Sequence, residues 1–125
     1  IEHPFNLVHL AAASGATYVT RWTTLHARRL TQSIKRMLQK EGFCFIEVVS
    51  PCPEIFGRRN KMRTGLDMME WFRRASVVEN FSDPSKAEIS PERIVVGEFV
   101  NIEKVSYERL LHEKIAQINE KTIKW

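Results

Sequence analysis

The sequence predicts an α/β fold, a partial parallel sheet with flanking helices. Residues 43–49 (FCFIEVV) are almost continuously apolar rather than alternating, the pattern of a strand covered by helices on both faces. A helix-length segment separates this run from a second strand-like stretch at 17–21, so the order is strand, helix, strand, a unit whose crossover is almost always right-handed. Two or three parallel strands fall short of the roughly five or six of a typical sheet. The expectation is therefore that further strands precede Ile1 and that the chain is a piece of a longer one.

In order, residues 5–13 read as a short helix with Leu7, Val8, Leu10 and Ala11 at helical spacing and Gly15 placed to end it. Residues 17–21 are rich in β-branched and aromatic side chains and read as a strand. Thr23 or Thr24 can cap the next helix, in which Leu30, Ile34, Met37 and Leu38 form a predicted buried stripe and Gly42 the stop. After the strand at 43–49, residues 54–63 read as a loop. Thr64 and Asp67 resemble a capping box and open a helix running to Ala75, with Leu66, Met69 and Phe72 or Arg73 along one side. Residues 80–91 are polar, contain Asp83-Pro84 and Ser90-Pro91, and should be a surface connection. A strand at 94–99 and a terminal helix capped by Ser106, with Leu110, Leu111, Ile115 and Ile118 on one face, complete the reading.

Hydrophobic residues at 43% and charged residues at 27% are ordinary for a globular chain and exclude disorder as the main state. No apolar run approaches the roughly 18 residues of a membrane span, and the first residues carry no secretory leader pattern. Two cysteines, Cys44 and Cys52, are too few for a disulfide scaffold, which points to a reducing, cytoplasmic setting. The net charge of +4 suits an acidic protein, a phosphorylated cofactor or nucleic acid without choosing among them.

Cys52 is the residue best placed for chemistry. It follows the strand at 43–49 directly and lies between Pro51 and Pro53, which fix the backbone and cannot continue the sheet. Ligands of parallel sheets gather beyond the carboxyl ends of the strands, and a thiolate held there suits a soft metal. The competing reading is a small apolar side chain closing a strand. One cysteine cannot assemble a cluster that takes four thiolates, and Cys44, within the strand, reads as core filler. His3, His9, His26 and His112 show no metal-ligand spacing, and the five glycines form no phosphate loop. The basic run Arg58, Arg59, Lys61, Arg63 could grip phosphate or an acidic partner, or simply be solvated. Trp22, Trp71 and Trp125 are not interleaved with it as a base-stacking platform would require.

The stretch Asn6-Leu7-Val8, Ala11 through Arg21, then Gly42-Phe43-Cys44-Phe45-Ile46-Glu47-Val48-Val49-Ser50-Pro51-Cys52-Pro53 and Phe56-Gly57-Arg58-Arg59-Asn60 resembles the β subunits of 2-oxoacid:ferredoxin oxidoreductases. The match is densest over residues 4–63 and continues weakly through Met69-Glu70-Trp71-Phe72 and Val96-Gly97-Glu98-Phe99-Val100. The Phe-Gly-Arg-Arg-Asn version looks most like the 2-oxoglutarate branch, with pyruvate or branched-chain 2-oxoacid members as alternatives.

The resemblance implies the C-terminal part of a thiamine-diphosphate-binding fold. Residues 1–63 would be the C-terminal half of that α/β module, ending in the cluster-ligand motif, and residues 64–125 a C-terminal extension of helix, strand and helix. It further implies a subunit holding thiamine diphosphate, Mg²⁺ and a [4Fe–4S] cluster, with Cys52 as fourth cluster ligand. The activity implied is oxidative decarboxylation of a 2-oxoacid to its acyl-CoA, with electrons passed to ferredoxin. The partners would be the α subunit of the same complex, ferredoxin, the 2-oxoacid and coenzyme A, with no nucleic acid and no membrane. The family's Gly-Asp-Gly motif and its other cluster cysteines are not in this sequence, so the isolated chain is expected to be inactive and to supply no catalytic acid or base. A non-enzymatic α/β binding module using the basic run is the alternative of a different class.

Overall fold

The structure, a computed structural model, describes residues 4–122. β1 (Tyr18–Thr23) and β2 (Cys44–Val49) pair in parallel, from Tyr18 opposite Cys44 to Thr23 opposite Val49, and α2 (Ala27–Met37) makes the crossover between them. The predicted strand–helix–strand unit is present. β4 (Ile94–Asn101) lies on the other side of β1 and runs antiparallel to it, with a bulge between Val19 and Thr20. β3 (Ser76–Val78) pairs in parallel with β4, giving the sheet order β2-β1-β4-β3. The class is α/β as read from the sequence, but the sheet is mixed. An apolar run predicts a strand and not its direction, which the returning chain sets.

In the strand order β2 lies at an edge of the sheet formed by the described residues. All six residues of β1 are buried, whereas β2 is mostly half-buried. The two buried faces separate cleanly. On one, α1 (Leu7–Ala13) packs Val8 and Ala11 against Val19, Val95 and Phe99. On the other, α3 (Gly65–Ala75) packs Phe72 and Ala75 against Trp22, Ile94 and Val96. Each of the larger of these side chains contributes about 1.5–3 kcal/mol on burial. The alternation along β1 and β4, required by the pleat, assigns neighbours to opposite layers.

The helix faces depart from the apolar periodicity. In α2 only Ser33 is buried, while Leu38 is 76% exposed and Ile34 is exposed as well. Polar contacts turn the helix this way: Trp22 Nε1 donates to Ser33 Oγ at 2.8 Å, and Arg36 pairs with the largely buried Glu98. Neither Thr23 nor Thr24 caps α2; a 3₁₀ turn, Thr24–His26, intervenes and Thr23 Oγ1 meets His26 Nδ1 at 2.9 Å instead. In α3 the buried side is Met68, Phe72 and Ala75, and Leu66 is 80% exposed. The Thr64–Asp67 capping box is formed in both directions. α4 (Tyr107–Thr122) starts at Ser106, whose Oγ accepts from Arg109 N, and leaves Leu110, Leu111 and Ile115 exposed.

One charge is sealed inside. Arg21 in β1 is 0% exposed; its Nε donates to Glu47 Oε2 at 2.7 Å and its Nη1 to the carbonyls of Ala87, Glu88 and Val95 at 3.0–3.3 Å. Its Nη2 reaches Asn6 Oδ1, the N-cap acceptor of α1. A buried guanidinium is tolerable only with its donors met, and here they fasten β2, β4, α1 and residues 87–88 to β1.

Candidate functional site at Cys52

β2 ends at Val49, and Ser50-Pro51 carries the chain out of the sheet to Cys52, which is exposed. The predicted loop after it is instead helical: a wide π-helical turn, Pro53–Gly57, whose N-cap is Cys52, continuing through Arg58 and Arg59. Proline at its first position needs no N–H partner there, which is why Pro53 opens a helix rather than a loop. The turn closes through Gly57 N donating to Cys52 O at 2.9 Å and Met62 N to Gly57 O at 2.8 Å. A Cβ on Gly57 would lie 2.1 Å from the Met62 carbonyl oxygen, so only glycine fits that approach.

This turn sets the electrostatics of the sulfur. The backbone N–H of Ile55, then that of Phe56, hydrogen-bond the Cys52 sulfur and hold its thiol below the ordinary cysteine value. Slight desolvation and the Glu54 carboxylate oppose them, and the Glu54 N–H adds to the lowering. A thiolate is the form that binds soft metals and attacks electrophiles. Cys52 also borders a cavity of about 610 Å³ with a mainly apolar lining that includes Val49, Phe56, Met68, Trp71 and Ile89. Phe56 stacks on Trp71 with ring centroids 5.5 Å apart, and Trp71 Nε1 donates to Pro91 O at 2.6 Å. The sulfur thus sits, with its thiol pKa lowered, beside a mainly apolar wall.

The other candidates stay apart from it. Cys44 is half-buried, with Sγ 3.6 Å from Thr17 Oγ1, in keeping with its reading as filler. His26 meets Thr23, and burial, then Arg29, pushes its imidazole down; His9 and His112 stand on exposed positions of α1 and α4. Among the described residues no three His, Cys, Asp or Glu side chains come together to hold a metal. Arg58 pairs with Glu54 at 2.9 Å on the surface, and Arg59, Lys61 and Arg63 are exposed. Trp22 is buried under α2 and Trp71 is stacked, so neither offers a free face to a base. His3 and Trp125 lie outside the described residues. Among these residues no helix is long and apolar enough to cross a membrane. Sequence reasoning missed the Phe56–Trp71 wall and the N–H groups turned on the sulfur; the glycine five residues after Cys52 was the available signal.

No family model matches the chain. The 2-oxoglutarate synthase subunit KorB of Methanocaldococcus jannaschii is 44% identical over 118 residues, 94% of this chain and 44% of that protein. KorB of Methanothermobacter thermautotrophicus is 43% identical over 101 residues, 81% of this chain and 35% of that protein. In sequence, the chain is a relative of KorB. It spans less than half the length of the KorB proteins it matches. In fold it is similar to a 2-oxoglutarate:ferredoxin oxidoreductase from Magnetococcus marinus, solved with 2-oxoglutarate, coenzyme A and succinyl-CoA bound. That similarity has a TM-score of 0.70 at 18% identity and covers 94% of this chain and 40% of the other.

Proposed function

We propose that this chain forms part of the β subunit of a 2-oxoglutarate:ferredoxin oxidoreductase, working in the cytoplasm with an α subunit, and that Cys52 is one of four thiolates holding a [4Fe–4S] cluster. Residues 1–63 would end the cofactor-binding module at that ligand, and residues 64–125 would be its extension. The observation that carries the reading is the Cys52 thiol itself: exposed, lowered in pKa by its own backbone turn, and bordering an apolar cavity. The donor chemistry fits a cluster ligand, and the three remaining thiolates would have to come from outside these residues. When bound, the cluster supplies one-electron steps. This chain's part is to present Cys52 as thiolate, to direct the Ile55 and Phe56 N–H groups at its sulfur, and to exclude water with Phe56, Met68 and Trp71.

Thiamine diphosphate and Mg²⁺ do not fit in the same way. Hard cations need several oxygen ligands, and the described residues assemble no such group. Titration calorimetry of the 125-residue chain with both should therefore show weak binding or none. The decisive test is Cys52→Ser beside Cys44→Ser in the intact complex. Iron content and the low-temperature EPR signal of the reduced complex should fall in the first and persist in the second, because a serine oxygen is a harder, poorer ligand for this iron. An unchanged cluster signal and normal ferredoxin reduction in Cys52→Ser would remove the residue from the site.

A further inference from the structure

A second crevice, of about 380 Å³, shares no lining residue with the Cys52 cavity. α2 forms one wall and the turn after β3 the other. Arg29, Gln32 and Arg36 line it from the helix, Asn80 and Phe81 from the turn. Its size is at the lower end of small-molecule sites.

The hydrogen-bonding capacity of this crevice is one-sided. Glu98 has both oxygens engaged: Oε2 accepts from the Tyr18 hydroxyl at 2.8 Å and from Arg36, and Oε1 from Asn101 at 2.8 Å. Asn80 Oδ1 accepts from the Glu98 N–H at 3.1 Å, so its amide carbonyl is used while its NH₂ meets no partner among the described residues. Gln32 has no partner among these residues either. Arg29 sits 5.5 Å from the Trp22 ring centroid and faces no carboxylate within bonding reach among them. What remains is a set of donors around a cation, with the nearby acceptor already occupied.

Phe81 adds a second, independent observation. Its φ is +58°, in the left-handed region that a bulky residue rarely enters, and its N–H donates to Glu98 O at 2.6 Å, which locks the turn. Glycine or asparagine would make this turn without strain. Yet the position carries an aromatic ring that is 69% exposed, on the rim of the crevice. Within the described residues that ring is left largely uncovered. Strained positions of this kind gather at ligand sites.

We propose that this crevice binds a small aromatic oxyanion, a planar ring bearing a phosphate or carboxylate, with Arg29, Gln32 and the Asn80 NH₂ on the oxyanion and Phe81 against the ring. The site does not rest on the reading of Cys52, and either can fail alone.

The test is titration calorimetry on the intact purified complex with three probes: inorganic phosphate, phenyl phosphate and benzoate. One ring-bearing probe should bind at least about tenfold more tightly than inorganic phosphate, and which one does so separates the phosphate from the carboxylate source. Arg29→Gln should weaken it by about tenfold or more, the loss of a charge-assisted hydrogen bond. Phe81→Gly should raise Tm by relieving the backbone while reducing the ring-bearing probe to the affinity of inorganic phosphate. No saturable binding by any probe would overturn the proposal. So would a Phe81→Gly variant that gains stability and keeps its affinity.

Discussion

Arg21 and Cys52 belong to the same strand–helix–strand unit and treat hydrogen bonding in opposite ways. Arg21 is enclosed, and its guanidinium is met by one carboxylate, three carbonyls and the Asn6 side chain, drawn from four separate parts of the chain. Cys52 is exposed, and among the described residues its sulfur is approached by N–H groups of the turn that follows it. The first arrangement uses up the group's chemistry in holding the fold. The second leaves a sulfur whose lone pairs are polarised and still open to something outside. A site of this kind is recognised less by unusual residues than by capacity left over.

The contrast can be broken most severely at Arg21. Arg21→Met should destabilise the protein by about 3–5 kcal/mol, because Glu47 and three carbonyls then lose their partner in a dry place. Chemical denaturation measures it, and a loss below about 1 kcal/mol would mean that Arg21 is not the clamp described. Gly57→Ala comes next, at about 1–3 kcal/mol, because the Met62 carbonyl must move to admit the methyl. It should also disturb the Ile55 and Phe56 N–H groups, so the pH midpoint for alkylation of Cys52 in cluster-free protein should rise toward the ordinary thiol value.

Away from both, Thr64→Ala removes an N-cap acceptor and should cost about 1 kcal/mol in denaturation. Its effect should depend on pH in a defined sense. Hydrogen bonds from the Thr64 side chain and then its backbone hold the Asp67 carboxyl below the usual range. A depressed folded-state value means this support is present above the unfolded value of about 3.9 and is lost as pH falls through the folded one. The penalty of Thr64→Ala should therefore shrink in strong acid. Smallest of all is Thr20→Val. Thr20 Oγ1 is buried without a partner among the described residues, so the nearly isosteric change should leave stability unchanged or raise it by up to about 1 kcal/mol, seen as a higher Tm.

Much of the local structure was legible in the sequence. β1, β2 and β4 were placed by β-branched and apolar runs, the cap at Thr64 by Asp67 three residues on and the cap at Ser106 by its residue type, because these signals lie within a few positions of what they specify. The position of Cys52 at a strand end followed from Pro51 and Pro53 in the same way. Burial was less legible. Leu38 and Leu66 have helical spacing suited to a core, yet what a helix packs against is decided by segments far along the chain. The partners of Arg21 lie up to 74 positions away, and nothing near Arg21 announces them. The short β3 and the left-handed Phe81 were missed because both depend on pairing with β4.

The strand order carries a consequence for biosynthesis. β1 receives its second neighbour only when β4 arrives, and the Tyr18–Glu98 contact joins positions 80 apart. At about 5–20 residues per second, a ribosome needs about 4–16 s to cover that distance. During this interval β1 can pair with β2 alone and presents an open apolar edge, the kind of template that recruits other strands. Fast local folding cannot close it, because the closing strand has not yet been made. A holding chaperone that covers residues 18–23 until β4 leaves the exit tunnel would raise the yield of folded protein.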